Sequence, residues 1–135
     1  MNVGEASRET GLPIKTIRYY DEIGLISADR QSNGYREFDN YCINKLRFLK
    51  RARALGFSVE DCRSLLSLYE DHTRSSGDVK LIASEHLAEV DLKILEMEQF
   101  RNILKHLIEA CHGDDRSDCA ILDELAGFPS QGIPH

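Results

Sequence analysis

Apolar residues recur along most of this chain at helical spacing, and glycines stand where that spacing breaks. Asn2 with Glu5 three residues on makes a capping-box start, and Gly11 is a natural stop, so the pattern predicts a first helix over about 2–10. Pro13 suits the opening turn of a second helix. There Ile14, Ile17 and Tyr20 or Asp21 fall on one side, while Lys15, Arg18, Tyr19 and Glu22 follow i, i+3, i+4, i+7 on another. Gly24 ends it, and the turn of about three residues between the two helices is short enough for a helix-turn-helix. Asn33-Gly34 between short β-favouring segments is a hairpin signal, since both residues accept positive φ, and it predicts a small β wing across about 25–38. Asp39 caps a third helix running to about Leu55, with Ile43, Leu46, Leu49 and Ala52 at three-residue intervals and Gly56 closing it. Ser58 with Asp61 opens a fourth to about Tyr69, with Leu65, Leu66 and Leu68 as its core.

The polar stretch around 71–77 reads as a linker between an N-terminal unit, 1–70, and the rest of the chain. From Asp78 to about Ala110 there is neither Gly nor Pro, and Leu87, Val90, Ile94, Met97, Leu104 and Ile108 alternate three- and four-residue steps with Arg101 interrupting. That is a coiled-coil seam. A helix of this length runs on the order of 45 Å, too long to bury its stripe within so small a chain. A second copy of the chain, antiparallel or parallel, is the expected cover. The remainder, 111–135, is a loop, a short helix over Ala120–Leu125 and a tail. The expected class is therefore mainly α.

Composition adds two exclusions and one contrast. The chain is 41% hydrophobic, too apolar and too periodic for a disordered chain, and no apolar run reaches the roughly 20 residues of a membrane span. The N-terminus lacks a secretory pattern, which points to the cytoplasm and to reduced cysteines. The net charge of −6 argues against a nucleic-acid partner until the chain is divided. Residues 1–56 then carry +3 and the remainder −9, placing an anionic partner at the N-terminal end.

Candidate chemistry lies in Cys111-His112-Gly113-Asp114-Asp115-Arg116-Ser117-Asp118-Cys119. Two thiols bracket a polar loop, and Cys119 sits at the start of the short helix, where free N–H groups and the dipole favour a thiolate. Two sulfurs suit ions content with two-coordinate geometry, Cu(I), Ag(I) or Au(I), whereas structural zinc takes four ligands. By spacing alone, two unconnected structural cysteines stand ahead of a metal site, and a regulatory disulfide behind both. Cys42 and Cys62 fall on helices among apolar neighbours and read as buried. No nucleophile–base pair, phosphate-binding glycine loop or paired acid/base set points to an enzyme.

The blocks Thr10–Ile26, Asn33-Gly34-Tyr35-Arg36 and Ala52–Ser58 closely resemble the MerR family of transcription regulators, and the likeness runs over essentially the whole chain. Within it, the Cys111–Cys119 loop resembles that of the copper efflux regulator branch. The resemblance implies a winged helix-turn-helix DNA-binding domain, a long antiparallel coiled-coil dimerisation helix and a C-terminal metal-binding loop. Lys15, Arg18 and Tyr19 would face promoter DNA from the second helix, and Tyr35 and Arg36 from the wing. It also implies a homodimer that activates transcription by distorting an overlong promoter for RNA polymerase.

In relatives that sense divalent ions, a cysteine at the start of the dimer helix supplies a third thiolate across the dimer; Ser76 stands there in this chain. The resemblance thus implies one monovalent ion per chain, held by Cys111 and Cys119. Lys80 matches a lysine that approaches the loop, and the alternative is that it is merely solvated. His112 stands where the branch usually has Pro and adds a possible nitrogen donor. The tail from Gly127 to His135 lacks the Cys- and His-rich ending of some relatives.

Overall fold

The computed structural model describes residues 1–114 and 116–127. Among them, six helices and one hairpin follow in the order α1 (Val3–Thr10), α2 (Ile14–Glu22), β1 (Asp29–Arg30), β2 (Arg36–Glu37), α3 (Asn40–Ala54), α4 (Val59–Glu70), α5 (Ser76–Ala110) and α6 (Ala120–Leu125). The chain divides into two compact units, Met1–Ala83 and from Ser84 onward, so the first turns of α5 belong with the N-terminal unit.

Local chemistry sets the helix ends of the first unit. The side chains of Asn2, Asp39 and Ser58 accept from the amides of Glu5, Cys42 and Asp61, satisfying donors that would otherwise be orphaned. Gly11 closes α1 at φ 75°, and Lys50 reaches from α3 to donate to the Thr10 carbonyl at 2.9 Å. Ser7 Oγ donates to the Leu12 carbonyl at 2.6 Å, fixing the turn into α2.

A single apolar cluster holds these pieces. Ala6, Ile17, Tyr20, Phe38, Ile43, Leu46 and Leu49 come to it from α1, α2, the end of the hairpin and α3. Each large aliphatic buried there contributes on the order of 1.5–3 kcal/mol. Three sequence expectations change. Leu25 and Ile26 are 3% and 1% exposed, so they belong to the core and not to the wing. In α4 the inner line is Cys62 and Leu66, one turn apart, with Leu65 and Leu68 only half-buried on its flanks. The hairpin turn is not the two-residue type: Gly34 has φ 85°, while no non-glycine residue among those described has positive φ. Gly34 N donates to the Gln31 carbonyl and Gln31 N to the Tyr35 carbonyl, both at 2.9 Å, and Asn33 Oδ1 accepts from Tyr35 N at 3.1 Å. The Asn33 side chain thus stabilises an ordinary backbone conformation in place of a left-handed one.

In the second unit, α5 continues to Ala110. The helix starts at Ser76, two residues before the sequence expectation, with Ser75 Oγ accepting from Gly77 N at 3.1 Å. Leu107 is the buried residue of α5, whereas Leu87, Ile94, Met97, Phe100, Leu104 and Ile108 are each more than half exposed. Met97, Phe100, Leu104 and Ile108 line one shallow apolar groove along the helix. No described helix is long and apolar enough to cross a membrane.

Candidate metal centre and nucleic-acid interface

Helix α2 turns Ile17 and Tyr20 into the core, which leaves Lys15, Arg18 and Tyr19 exposed on its other side. These three line one shallow surface with Ile14 and Glu22. Arg18 and Ile14 also line a second groove, shared with Gln31, Gly34, Tyr35 and Arg36 of the hairpin. The five residues singled out in the sequence therefore form one continuous face. Tyr35 is 72% exposed at its outer edge. Two cation types and two aromatic rings on such a face suit phosphates and groove walls.

Arg36 differs from the others in being half-buried and already paired: its Nε donates to Asp21 Oδ2 at 2.6 Å. Asp21 Oδ1 in turn accepts from Ala28 N at 3.1 Å. At the end of α2, Arg63 of α4 donates to the Ile23 carbonyl at 2.7 Å. Sequence reading missed Asp21 and Arg63 as site-shaping residues because their partners lie 7 to 40 positions away and no local spacing encodes them.

The two thiols of the C-terminal loop do meet. Cys111 N donates to the Leu107 carbonyl at 3.0 Å, so Cys111 extends the last turn of α5. Gly113, at φ 67°, then reverses the chain. Asp114 accepts from the Arg116 backbone and side chain, both at 2.9 Å, and Cys119 takes the N-cap position of α6. This brings Cys111 Sγ to 3.8 Å from Cys119 Sγ, with both residues half-buried. The Leu122 amide, helped by the Ile121 amide and the Cys111 thiol, outweighs desolvation and holds the Cys119 thiol below its ordinary range. Burial instead raises Cys42 and Cys62, which are free, buried thiols as expected.

These sulfurs are close enough for one ion to reach both. With metal–sulfur bonds of about 2.3 Å, the sulfur separation runs from about 3.8 Å at a tetrahedral angle to about 4.6 Å for a linear site. The observed 3.8 Å lies at the bent end, so a linear site requires the sulfurs to part by roughly 0.8 Å. Among the described residues no group of three or more His, Cys, Asp or Glu side chains is placed to hold a metal, and His112 is exposed. Ser76 and Lys80 are exposed in the opening turns of α5, one turn apart. Asp115 and the tail beyond Gly127 lie outside the described residues.

Residues 1–68 match the family described as MerR HTH family regulatory protein, and residues 43–107 the one described as MerR, DNA binding. With the helix-turn-helix and its adjoining hairpin, these define the class: a DNA-binding transcription regulator and not an enzyme. The HTH-type transcriptional regulator HmrR of Rhizobium leguminosarum bv. viciae is 58% identical over 93% of this chain and 98% of the relative. The HTH-type transcriptional regulator CueR of Salmonella typhimurium is 41% identical over 94% and 93%. The crystal structure of PbrR691 from Ralstonia metallidurans in complex with lead(II) superimposes with a TM-score of 0.77 at 28% identity, over 93% of this chain and 98% of that one. The chain belongs to the MerR family.

Proposed function

We propose that this protein is a metal-responsive transcriptional activator that senses Cu(I), or Ag(I) or Au(I), through the Cys111 and Cys119 thiolates, one ion per chain, and that it works as a cytoplasmic homodimer on promoter DNA. The observation that carries the reading is the 3.8 Å approach of two half-buried thiols in a loop that offers no third donor of the same kind. Two thiolates around a monovalent ion leave a residual charge of −1, a modest burden for a half-buried site. A divalent ion there would lack ligands. PbrR691 supports the metal-responsive part by its bound lead(II).

The exposed apolar stripe on α5 supports the dimer. Ser76 opens α5 and Cys111 follows its end, 35 residues of helix apart, so the two meet only if a second copy runs antiparallel. In that arrangement Ser76 contributes no sulfur, which keeps the site at two thiolates, and Lys80 offsets the residual charge. Lys15, Arg18 and Tyr19 dock α2 in the major groove while Tyr35 and Arg36 hold the flanking backbone. Cys111 and Cys119 would hold the ion, which would supply a soft Lewis acid common to both thiolates. Held together, the two residues order the loop between α5 and α6, and the two DNA-binding units shift so that the duplex is bent and untwisted for RNA polymerase. A coupling of about 1–3 kcal/mol between ion and DNA conformation is typical of such switches.

The test is transcription from the cognate promoter in cells with Cys111→Ser or Cys119→Ser. Both variants are expected to lose Cu(I) induction while keeping DNA binding, and retained induction in either refutes the ligand assignment. X-ray absorption of the loaded protein is expected to show two sulfur neighbours and no nitrogen. The same pair of free thiols supports a second reading, a thiol–disulfide redox regulator, which predicts induction by oxidant and indifference to Cu(I).

A further inference from the structure

The wing is a hairpin of only two residues per strand, too short to hold its own orientation. Among the described residues, its hydrogen bonds to α2 side chains converge on one carboxylate, beside the Leu25 and Ile26 amides that donate to the Tyr20 carbonyl. Asp21 Oδ2 accepts from Arg36 Nε at 2.6 Å, tying β2 to the helix, and Asp21 Oδ1 accepts from Ala28 N at 3.1 Å, tying the chain just before β1. The two side chains are 10% and 21% exposed, so water competes weakly for either bond. The far side of β2 is pinned independently, by the Met1 amino group on Glu37 Oε1 at 2.6 Å and on the Phe38 carbonyl at 3.0 Å. Asp21 therefore governs the angle between hairpin and helix, and not whether the hairpin exists.

We infer that Asp21 is a positioning residue for DNA binding: through Arg36 and Ala28 it sets the wing at the angle where Tyr35 and α2 engage the same duplex. This rests on the DNA-binding reading of α2 and the wing. Arg36 has two roles in consequence. Its Nε is committed to Asp21, while the side chain still lines the groove it shares with Arg18 and Tyr35. Any duplex seated in that groove then meets a wing whose position is fixed in advance, which lowers the ordering cost of binding.

The experiment uses the full chain and a short duplex selected by the wild-type protein from a randomised library, with anisotropy titration and hydroxyl-radical footprinting. Asp21→Asn and Arg36→Gln are each expected to weaken binding about ten- to a hundredfold, the range for losing a hydrogen-bonded charged partner. The double variant is expected to bind no more weakly than Arg36→Gln alone, because both remove one linkage. The footprint should lose protection of the flanking backbone and keep it opposite α2, a split that general destabilisation does not produce. Wild-type affinity in Asp21→Asn, or losses that multiply in the double variant, overturns the inference. Should Asp21→Asn fail to fold, Asp21→Glu serves, since it keeps the charge but moves the carboxylate by one methylene, so that it cannot meet Arg36 Nε and Ala28 N together at the present hairpin angle: weakened binding with flanking protection lost supports the inference, and wild-type affinity with a wild-type footprint overturns it. A wild-type chain that selects no duplex defeats the DNA-binding reading itself, an outcome distinct from the others.

Discussion

Gly11 sits where the first helix hands over to the second, and replacing it with Ala tests how the helix-turn-helix is held. At φ 75° a Cβ costs about 1–2 kcal/mol. The same Cβ would lie 2.4 Å from Lys50 Nζ, so the lysine must leave the Thr10 carbonyl it now bonds at 2.9 Å. Lys50 is exposed, so that bond is discounted to the lower part of the usual range, about 0.5–1 kcal/mol. Stiffening of the unfolded chain by Ala returns about 0.4–1 kcal/mol. The net loss is about 0.5–2.5 kcal/mol, dominated by the backbone and not by the lysine. For a unit of this size it lowers Tm by roughly 2–20 °C, read by circular dichroism. Gly11→Asn should recover part of the loss, since Asn tolerates the left-handed region. Lys50→Met should cost the wild type a little and cost Gly11→Ala nothing further. A Tm within about 2 °C of wild type would mean that the left-handed backbone at this turn is not what requires the glycine, and additive losses in the double variant would mean that Lys50 and the new Cβ do not collide.

Three further outcomes are expected. At neutral pH iodoacetamide should label Cys119 well before Cys42 or Cys62, because the α6 amides lower the first thiol while burial raises the other two; Cys119 labelling should persist as pH falls, and peptide mass spectrometry reads the order. Leu104→Asp, on the exposed stripe of α5, should shift the chain from dimer to monomer in sedimentation while the first unit stays folded, and an unchanged dimer would remove the stripe from the interface. Ser76→Cys should raise affinity for lead(II) relative to Cu(I) in chelator competition, since a third thiolate completes a divalent site; no change in the ratio would mean that the start of α5 does not reach the loop of a second copy.

What could be read from sequence was what the chain decides locally. Asn2, Asp39 and Ser58 cap their helices as their positions imply, because a cap is a bond to an amide three residues away. The α2 face and the α5 stripe follow from a period of 3.6 residues and needed no tertiary knowledge. Where two local chemistries competed, the pattern misled: Asn33 could take positive φ or use its side chain on Tyr35 N, and the second prevails, leaving Gly34 alone in the left-handed region. Leu25 and Ile26 looked like strand residues, yet the core beneath the hairpin claims them. The thiol pair was visible only as a spacing compatible with three outcomes. Its closure to 3.8 Å depends on a reversal at Gly113 and on Cys119 taking an N-cap position, a conjunction that no single motif encodes. Asp21 stands furthest from such legibility. Its class and position assign it to the inner side of α2, but its two bonds connect elements brought together only by folding. A carboxylate that closes a long-range linkage looks the same in sequence as one that merely solvates a helix end, so the residues that tie helix to wing emerge from coordinates while the exposed face of α2 emerges from periodicity.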